Sequence, residues 1–319
     1  MFRKSLMVVG ACAMVLSACG GAAAPAAKED PTLKIAVLPI LDALPMYVAD
    51  AQGYFKDAGI NVEFVPVASA AERDQLMQAG QADGMINDLI STVLYNKDTP
   101  KISIVRFART ASTDQPQYSI VASKDSGITS PDQLKGVEIG LSEGTVIAYT
   151  TDRLLQHAGL TKDDIKTTNV PKIPDRLQLI SEGKLKAANM PEPFATLAEQ
   201  SGAVRVVDDR SLPEVGTSEI SFNVNTLQSK PETVKKFLAA IEKATADVNG
   251  SPDKWGTLLT DKKLIPAPLI GKYALPKFPT ASVPSEAQIK DVLAWMTDKG
   301  LIKADVPYNK LVDSSYLPK

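Results

Sequence analysis

The chain has 319 residues, 35 basic against 37 acidic side chains for a net charge of −2, and 44% hydrophobic residues. This is the composition of an ordinary globular protein, and the absence of a basic stripe interleaved with aromatics argues against a nucleic-acid surface. One histidine, His157, and two cysteines leave no cluster of the usual zinc or iron type.

In chain order, Arg3 and Lys4 supply two early positive charges. An apolar run from Leu6 to Leu16 follows, then small residues before Cys19. That is the pattern of a secretory signal, and the run is too short for a bilayer span, which needs roughly 20 residues. Leu16-Ser17-Ala18-Cys19 resembles the lipobox of bacterial lipoproteins. The resemblance implies removal of residues 1–18 as a signal peptide and lipidation of Cys19. The alternative is an ordinary signal-peptidase site beside a small residue. Because Cys12 lies inside the signal, Cys19 would be the one remaining cysteine, and no internal disulfide could form. Residues 19–32 read as a lipid-anchored linker, small and Pro-containing, then charged.

The body then alternates strands and helices. Lys34 to Leu38 reads as a strand, Ala43 to Phe55 as one helix, and Asn61 to Val67 as the next strand. Ser69-Ala70-Ala71-Glu72 is a capping box opening a helix that stops at Gly80. A strand over Ala82 to Ile86, a helix over Leu89 to Tyr95 and a strand over Lys101 to Phe107 complete a first half. The pattern restarts with a strand over Gln117 to Ser123 and a serine-capped, proline-started turn at Ser130-Pro131. A strand over Gly136 to Leu141 and a helix over Thr145 to His157 follow. His157 stands just before Gly159, where a histidine complements the helix dipole rather than serving a catalytic triad. Strands at Ile165 to Val170, Ala187 to Met190 and Val204 to Val207, with a helix over Arg176 to Ser181, finish the second half. Such alternation implies βαβ units and mostly parallel sheets. After a β segment at Glu219 to Val224 the chain turns helical. One helix spans Pro231 to Val248, and a second is opened by the capping box Ser285 to Gln288. The proline-rich stretch Trp255 to Pro284 reads as short helices and loops.

At this point a resemblance emerges. Pro45 to Val62, with its Gly53-Tyr54-Phe55 turn and Gly59, resembles a segment of solute-binding proteins of ABC importers. The group is the nitrate/sulfonate/taurine type, which includes binders of thiamine-pyrimidine precursors and riboflavin. Gln78 to Gly84, Asp132-Gln133-Leu134-Lys135-Gly136 and Pro191-Glu192-Pro193-Phe194-Ala195 are similar to three further motifs of that group, in order. The resemblance covers about residues 33–250. It implies an α/β, two-lobed periplasmic-binding-protein-like fold (type II) with two crossing segments and a helical C-terminal tail. The lobes would be 33–113 plus 220–319, and 114–219. It also implies a monomer without cofactor or metal. Such a monomer captures a small-molecule solute by hinge closure and docks on the transmembrane subunits of an ABC permease. Its place would be outside the cytoplasm, held to the membrane by the N-terminal lipid.

In open α/β sheets ligands bind beyond the C-terminal strand ends, where helix N-termini also point. Candidates from the first lobe are Asp42 and Leu44, Ser69, Asn87 and Asp88, and Arg109. From the second they are Glu143, Gly144 and Thr145, then Tyr149, Glu192 and Phe194. Several have a structural alternative: Ser69 and Asp88 as helix caps, Glu192 as a turn residue, Phe194 as core. Gly144 would serve close backbone approach. Since these candidates are largely acidic, with Arg109 alone clearly basic, the expected ligand is neutral or cationic, such as a heterocycle offering N–H donors. Tyr149 or Phe194 would stack on it. The main rival is an enzyme on the same fold, of the thiamine-pyrimidine or menaquinone-pathway type. The pyrimidine synthases use a cysteine-rich iron motif and a histidine that this chain does not offer. A simple sulfonate, taurine or nitrate binder is the other alternative.

Overall fold

The computed structural model describes residues 29–319. The expected signal peptide, Cys19 and most of the linker lie outside the described residues. The first half runs β1 (Thr32–Val37), α1 (Leu44–Ala51), α2 (Tyr54–Asp57), β2 (Asn61–Pro66), α3 (Ala70–Gln78), β3 (Gly84–Asn87), α4 (Leu89–Asn96) and β4 (Ile102–Thr110). The second runs β5 (Tyr118–Ala122), β6 (Glu138–Leu141), α5 (Val146–His157), β7 (Lys166–Asn169), α6 (Ile173–Ser181), β8 (Ala187–Pro191), α7 (Phe194–Gln200) and β9 (Val204–Asp208). The chain then returns through β10 (Thr217–Asn223) to α8 (Val224–Ser229), α9 (Pro231–Gly250), α10 (Gly256–Asp261) and α11 (Glu286–Asp298).

The single helix expected over Ala43 to Phe55 is two. Gly53 adopts a left-handed conformation (φ 75°) that breaks the turn, and α2 restarts after it. The cap signals, by contrast, are met. The Ser69 hydroxyl accepts the Glu72 N–H (3.2 Å) and the Asp88 carboxylate accepts the Ser91 N–H (2.9 Å). Ser285 and Gln288 form a reciprocal capping box at the start of α11.

These elements make two five-stranded sheets with orders β2-β1-β3-β10-β4 and β7-β6-β8-β5-β9. Each is mixed. In the first, β10 lies antiparallel between β3 and β4; in the second, β5 lies antiparallel between β8 and β9. The remaining strands of each sheet run in one direction, as the βαβ reading implies. Helices cover the sheets with apolar faces: Phe237, Leu238 and Ile241 of α9 pack with Val48 and Phe55, and Ile120, Leu134 and Leu155 form a core on the second sheet. The chain crosses between sheets at 111–117 and 209–216.

The crossings are tied together. The Ala111 N–H donates to the Gly216 carbonyl (2.8 Å). Buried Asp209 accepts the Gln117 N–H (2.8 Å) and the Tyr118 N–H (3.0 Å), so one carboxylate on the return path holds the outgoing one. Burial pushes its pKa up to about 7, against the lowering effect of those two N–H groups and of Arg109. Glycine is required at 216 by proximity. A Cβ there would stand 1.8 Å from Asp209 Oδ2.

The tail adds a further link. α11 places Val292, Trp295 and Met296 in one apolar cluster with Leu89, Ile90 and Val93 of α4 and Val146, Ile147 and Tyr149 of α5. Its polar contacts reach α5: Trp295 Nε1 donates to Asp152 (2.8 Å), and Arg153 grips Asp291 at 2.8 and 2.9 Å. His157 is exposed at the end of α5. Among the described residues no helix is long and apolar enough to cross a membrane.

Candidate ligand-binding cleft

A cavity of about 70 Å³ lies between the two sheets. Its first wall comes from the C-terminal ends of β1 and β3 and the starts of α3 and α4: Leu38, Ile40, Asp42, Ser69, Asn87 and Asp88. Its second comes from the C-terminal ends of β6 and β8 and the starts of α5 and α6: Ser142, Thr145, Ile147, Ile173 and Pro191. Tyr118 and Ser218, beside the crossings, lie against it as well. This is where open α/β sheets hold ligands.

Of the residues singled out from sequence, Asp42, Ser69, Asn87, Asp88 and Thr145 line this cavity. The others stand elsewhere. Leu44 is buried in the first core. Glu143 is exposed beyond β6, and Gly144 supplies a left-handed turn (φ 67°) ahead of α5. Tyr149 turns away from the cleft. Its hydroxyl donates to Asp291 (2.5 Å) and its ring meets the Trp295 edge at 5.5 Å, so it is not placed to stack on a ligand in this cavity. Phe194 is half-buried against the second lobe's core. Glu192 is ion-paired with Arg205 (2.6 Å) and accepts the Thr196 hydroxyl (2.8 Å). Arg109 sits behind the cavity wall, 3.7 Å from Asp42, with Nη2 donating to the Pro116 carbonyl (3.2 Å).

Two arginines that sequence reasoning passed over complete the cavity lining. Arg73 on α3 and Arg176 on α6 are 3% and 1% exposed. Nothing in the sequence marks them. Each sits in a helix whose polar positions otherwise look solvated. With Arg73 and Arg176 counted, the acidic bias inferred from sequence disappears. Arg73 is paired with Asp74 (2.8 Å) and lies 3.4 Å from Asp88. Burial opposes its charge, yet the two acids hold its pKa above the ordinary value. Asp42 is met by Arg109 and accepts the Ser218 hydroxyl (2.5 Å) and the Gln117 amide (3.3 Å). Glu219, opposite Asn87 in the β10–β3 register, is fully buried. Burial raises its pKa well above the usual carboxylate range, with Asp88 and Asp42 adding to the rise and the Thr217 hydroxyl opposing it. Asn87 donates to the Thr92 hydroxyl (2.8 Å), while its Oδ1 has no partner among the described residues.

Among the described residues no group of three or more His, Cys, Asp or Glu side chains could hold a metal ion. Residues 29–319 contain no cysteine, and their one histidine is remote from the cavity. The residues present do not fit the iron site that likeness to the pyrimidine synthases would imply.

Residues 41–255 match the family described as NMT1/THI5 like. The chain is 29% identical over 222 residues to 4-amino-5-hydroxymethyl-2-methylpyrimidine phosphate synthase of Aspergillus parasiticus, covering 65% of this chain and 63% of that protein. The match thus spans less than two thirds of that curated relative's length. It is 23% identical over 312 residues to the putative binding protein YtlA of Bacillus subtilis, covering 92% of each. Its fold is similar to that of the alkanesulfonate-binding protein SsuA from Xanthomonas axonopodis pv. citri bound to MOPS. That likeness has a TM-score of 0.75 at 15% identity, over 90% of this chain and 99% of that one. The chain therefore has the two-lobed periplasmic-binding-protein fold.

Proposed function

The chain belongs to the NMT1/THI5-like family, and on that premise we propose that it is an extracytoplasmic solute-binding protein that captures a small polar molecule by hinge closure and delivers it to an ABC importer. The observation that carries this reading is the cavity between the sheets, walled from both lobes by buried polar side chains. A site assembled from two bodies joined by two crossings is made when they close and opened when they part. Likeness to the putative binding protein YtlA over 92% of both chains supports it. On this reading the signal-like N-terminus and the lipobox-like Leu16-Ser17-Ala18-Cys19 support export and a lipid on Cys19, which would raise the protein's effective concentration near a permease.

The ligand on this reading is a flat heterocycle with N–H donors. Leu38, Ile40, Ile147 and Ile173 give the cavity apolar faces. On the first wall the Asp42 and Asp88 carboxylates and the free Asn87 Oδ1 are acceptors. An unmet acceptor in a buried wall selects for a donor.

The enzyme reading draws on the fungal synthase, which is similar over part of its length. Among the described residues no Cys/His cluster stands as a counterpart to an iron motif, and the hydroxyl nearest a base in the cavity, Ser218, is held by Asp42 (2.5 Å), a carboxylate already met by Arg109. Native mass spectrometry of the purified protein, then calorimetry with 4-amino-5-hydroxymethyl-2-methylpyrimidine, taurine and an alkanesulfonate, separates the readings. Binding without turnover, together with stimulated uptake by a cognate permease, is the expected result. Product formation overturns the binding reading. Sub-millimolar binding of taurine or the alkanesulfonate, with no heterocycle bound, overturns the ligand class.

A further inference from the structure

Among the described residues, Arg176 is the buried arginine without an acid. Arg73, Arg106, Arg109 and Arg205 each face a carboxylate: Asp74, Glu242, Asp42 and Glu192. Arg176 forms no ion pair among the described residues. Its Nη1 donates to the carbonyls of Val170 (2.8 Å) and Pro171 (3.3 Å), and its Nε has no partner among the described residues. It is 1% exposed and lines the cavity from the second lobe. Burial pushes its pKa down to about 10, which leaves the cation charged at neutral pH. An uncompensated charge so deeply buried is costly unless something charged meets it. On the opposite wall, Asp88 is answered by Arg73 and Asp42 by Arg109, so neither acid is free to cross the cavity and serve.

We infer that Arg176 receives an acidic group of the solute, so that the ligand presents N–H donors to the first lobe and a carboxylate, phosphate or sulfonate oxygen to the second. This deepens the proposed function and rests on the cavity between the sheets being the solute site. A guanidinium suits such a partner because its N–H fork matches carboxylate and phosphate geometry. The inference also supplies a reason for closure. A solute charged at one end joins the first lobe to a cation on the second, and that cation gains its partner only when the lobes come together.

The test uses the folded protein and two probe sets. Thermal melts with inorganic phosphate against sodium chloride at matched ionic strength are run on the wild type, Arg176→Gln, Arg176→Lys and the exposed control Lys254→Gln. The expected result is a phosphate-dependent rise in Tm in the wild type and the control. Arg176→Gln should weaken the apparent phosphate affinity by about tenfold to a hundredfold, the range for a hydrogen-bonded charge, and Arg176→Lys should retain part of it. Equal phosphate response in wild type and Arg176→Gln, or none in either, overturns the inference and leaves Arg176 as an anchor for the 170–171 carbonyls. The second set compares 4-amino-5-hydroxymethyl-2-methylpyrimidine with its 5-carboxylate counterpart on the wild type alone, so the inference stays testable if a variant fails to fold. Preference for the carboxylate supports it. Preference for the neutral alcohol overturns it while leaving the proposed function intact. A phosphate response through Arg176 with neither pyrimidine bound removes the heterocycle and keeps the anion site.

Discussion

Replacing Gly216 with alanine tests whether Asp209 really clamps the two crossings. The new Cβ would stand 1.8 Å from Asp209 Oδ2, 2.8 Å from its Cγ and 3.1 Å from the Ala111 Cβ. Backbone φ at 216 is −90°, so the obstacle is the neighbour and not the conformation. The carboxylate must move, and in moving it releases the N–H groups of Gln117 and Tyr118. A buried donor left without a partner costs about 1–3 kcal/mol, so two cost about 2–6 kcal/mol. At this chain length each kcal/mol shifts the melting temperature by about 2 °C, so Gly216→Ala is expected to melt about 4–12 °C below the wild type. Circular dichroism melts measure this. In an Asp209→Ala background the clash is gone, and the same substitution should cost at least ~1 kcal/mol less than it does alone. A Gly216→Ala protein melting within about 1 °C of the wild type, or fully additive effects in the double variant, would refute the clamp.

Other perturbations follow from the same contacts. Asp209 holds its proton to about pH 7 when folded and to about pH 4 when unfolded, so the native state binds more protons between these values. Its contribution to stability is therefore fully present below about pH 4 and is lost progressively as pH rises to about 7. Asp209→Asn should flatten the fall in Tm between pH 5 and pH 8, and an unchanged slope counts against the assignment. Asp42→Asn leaves buried Arg109 without its acid. A loss of about 3 kcal/mol in urea unfolding is expected, together with weaker solute binding. Tyr149→Phe removes the hydroxyl from Asp291, at a cost of about 1–2 kcal/mol. Solute affinity should stay within about twofold by calorimetry, and a larger loss would return Tyr149 to the site.

The fold was legible because its signals are local. Ser69, Asp88 and Ser285 announce helix starts by chemistry that acts within four residues. Strand ends followed by helix starts mark the rim of each sheet where the cavity lies, and Asp42, Asn87 and Thr145 line it. What the sequence hid was orientation and burial. Tyr149 lies one helical turn from the start of α5, yet the partner that fixes its ring, Trp295, is supplied from far along the chain. Arg73 and Arg176 look like surface charges in the sequence, yet both are buried in the fold. A ligand preference inferred from the acids alone therefore omitted the cations that answer them.

The placement of β10 governs how the molecule can be made. The second sheet takes all its strands from Tyr118 to Asp208, one continuous stretch. The first has β3 and β4 on either side of a position that only residues 217–223 fill. When β4 leaves the machinery that extrudes the chain, its partner is still more than a hundred residues away. Two strand edges then stay open until the whole second lobe has been delivered, and open edges are where aggregation begins. The second sheet can pair as it arrives, whereas the first is completed last. The return strand that completes the first sheet therefore also ends the most vulnerable interval of the protein's biogenesis.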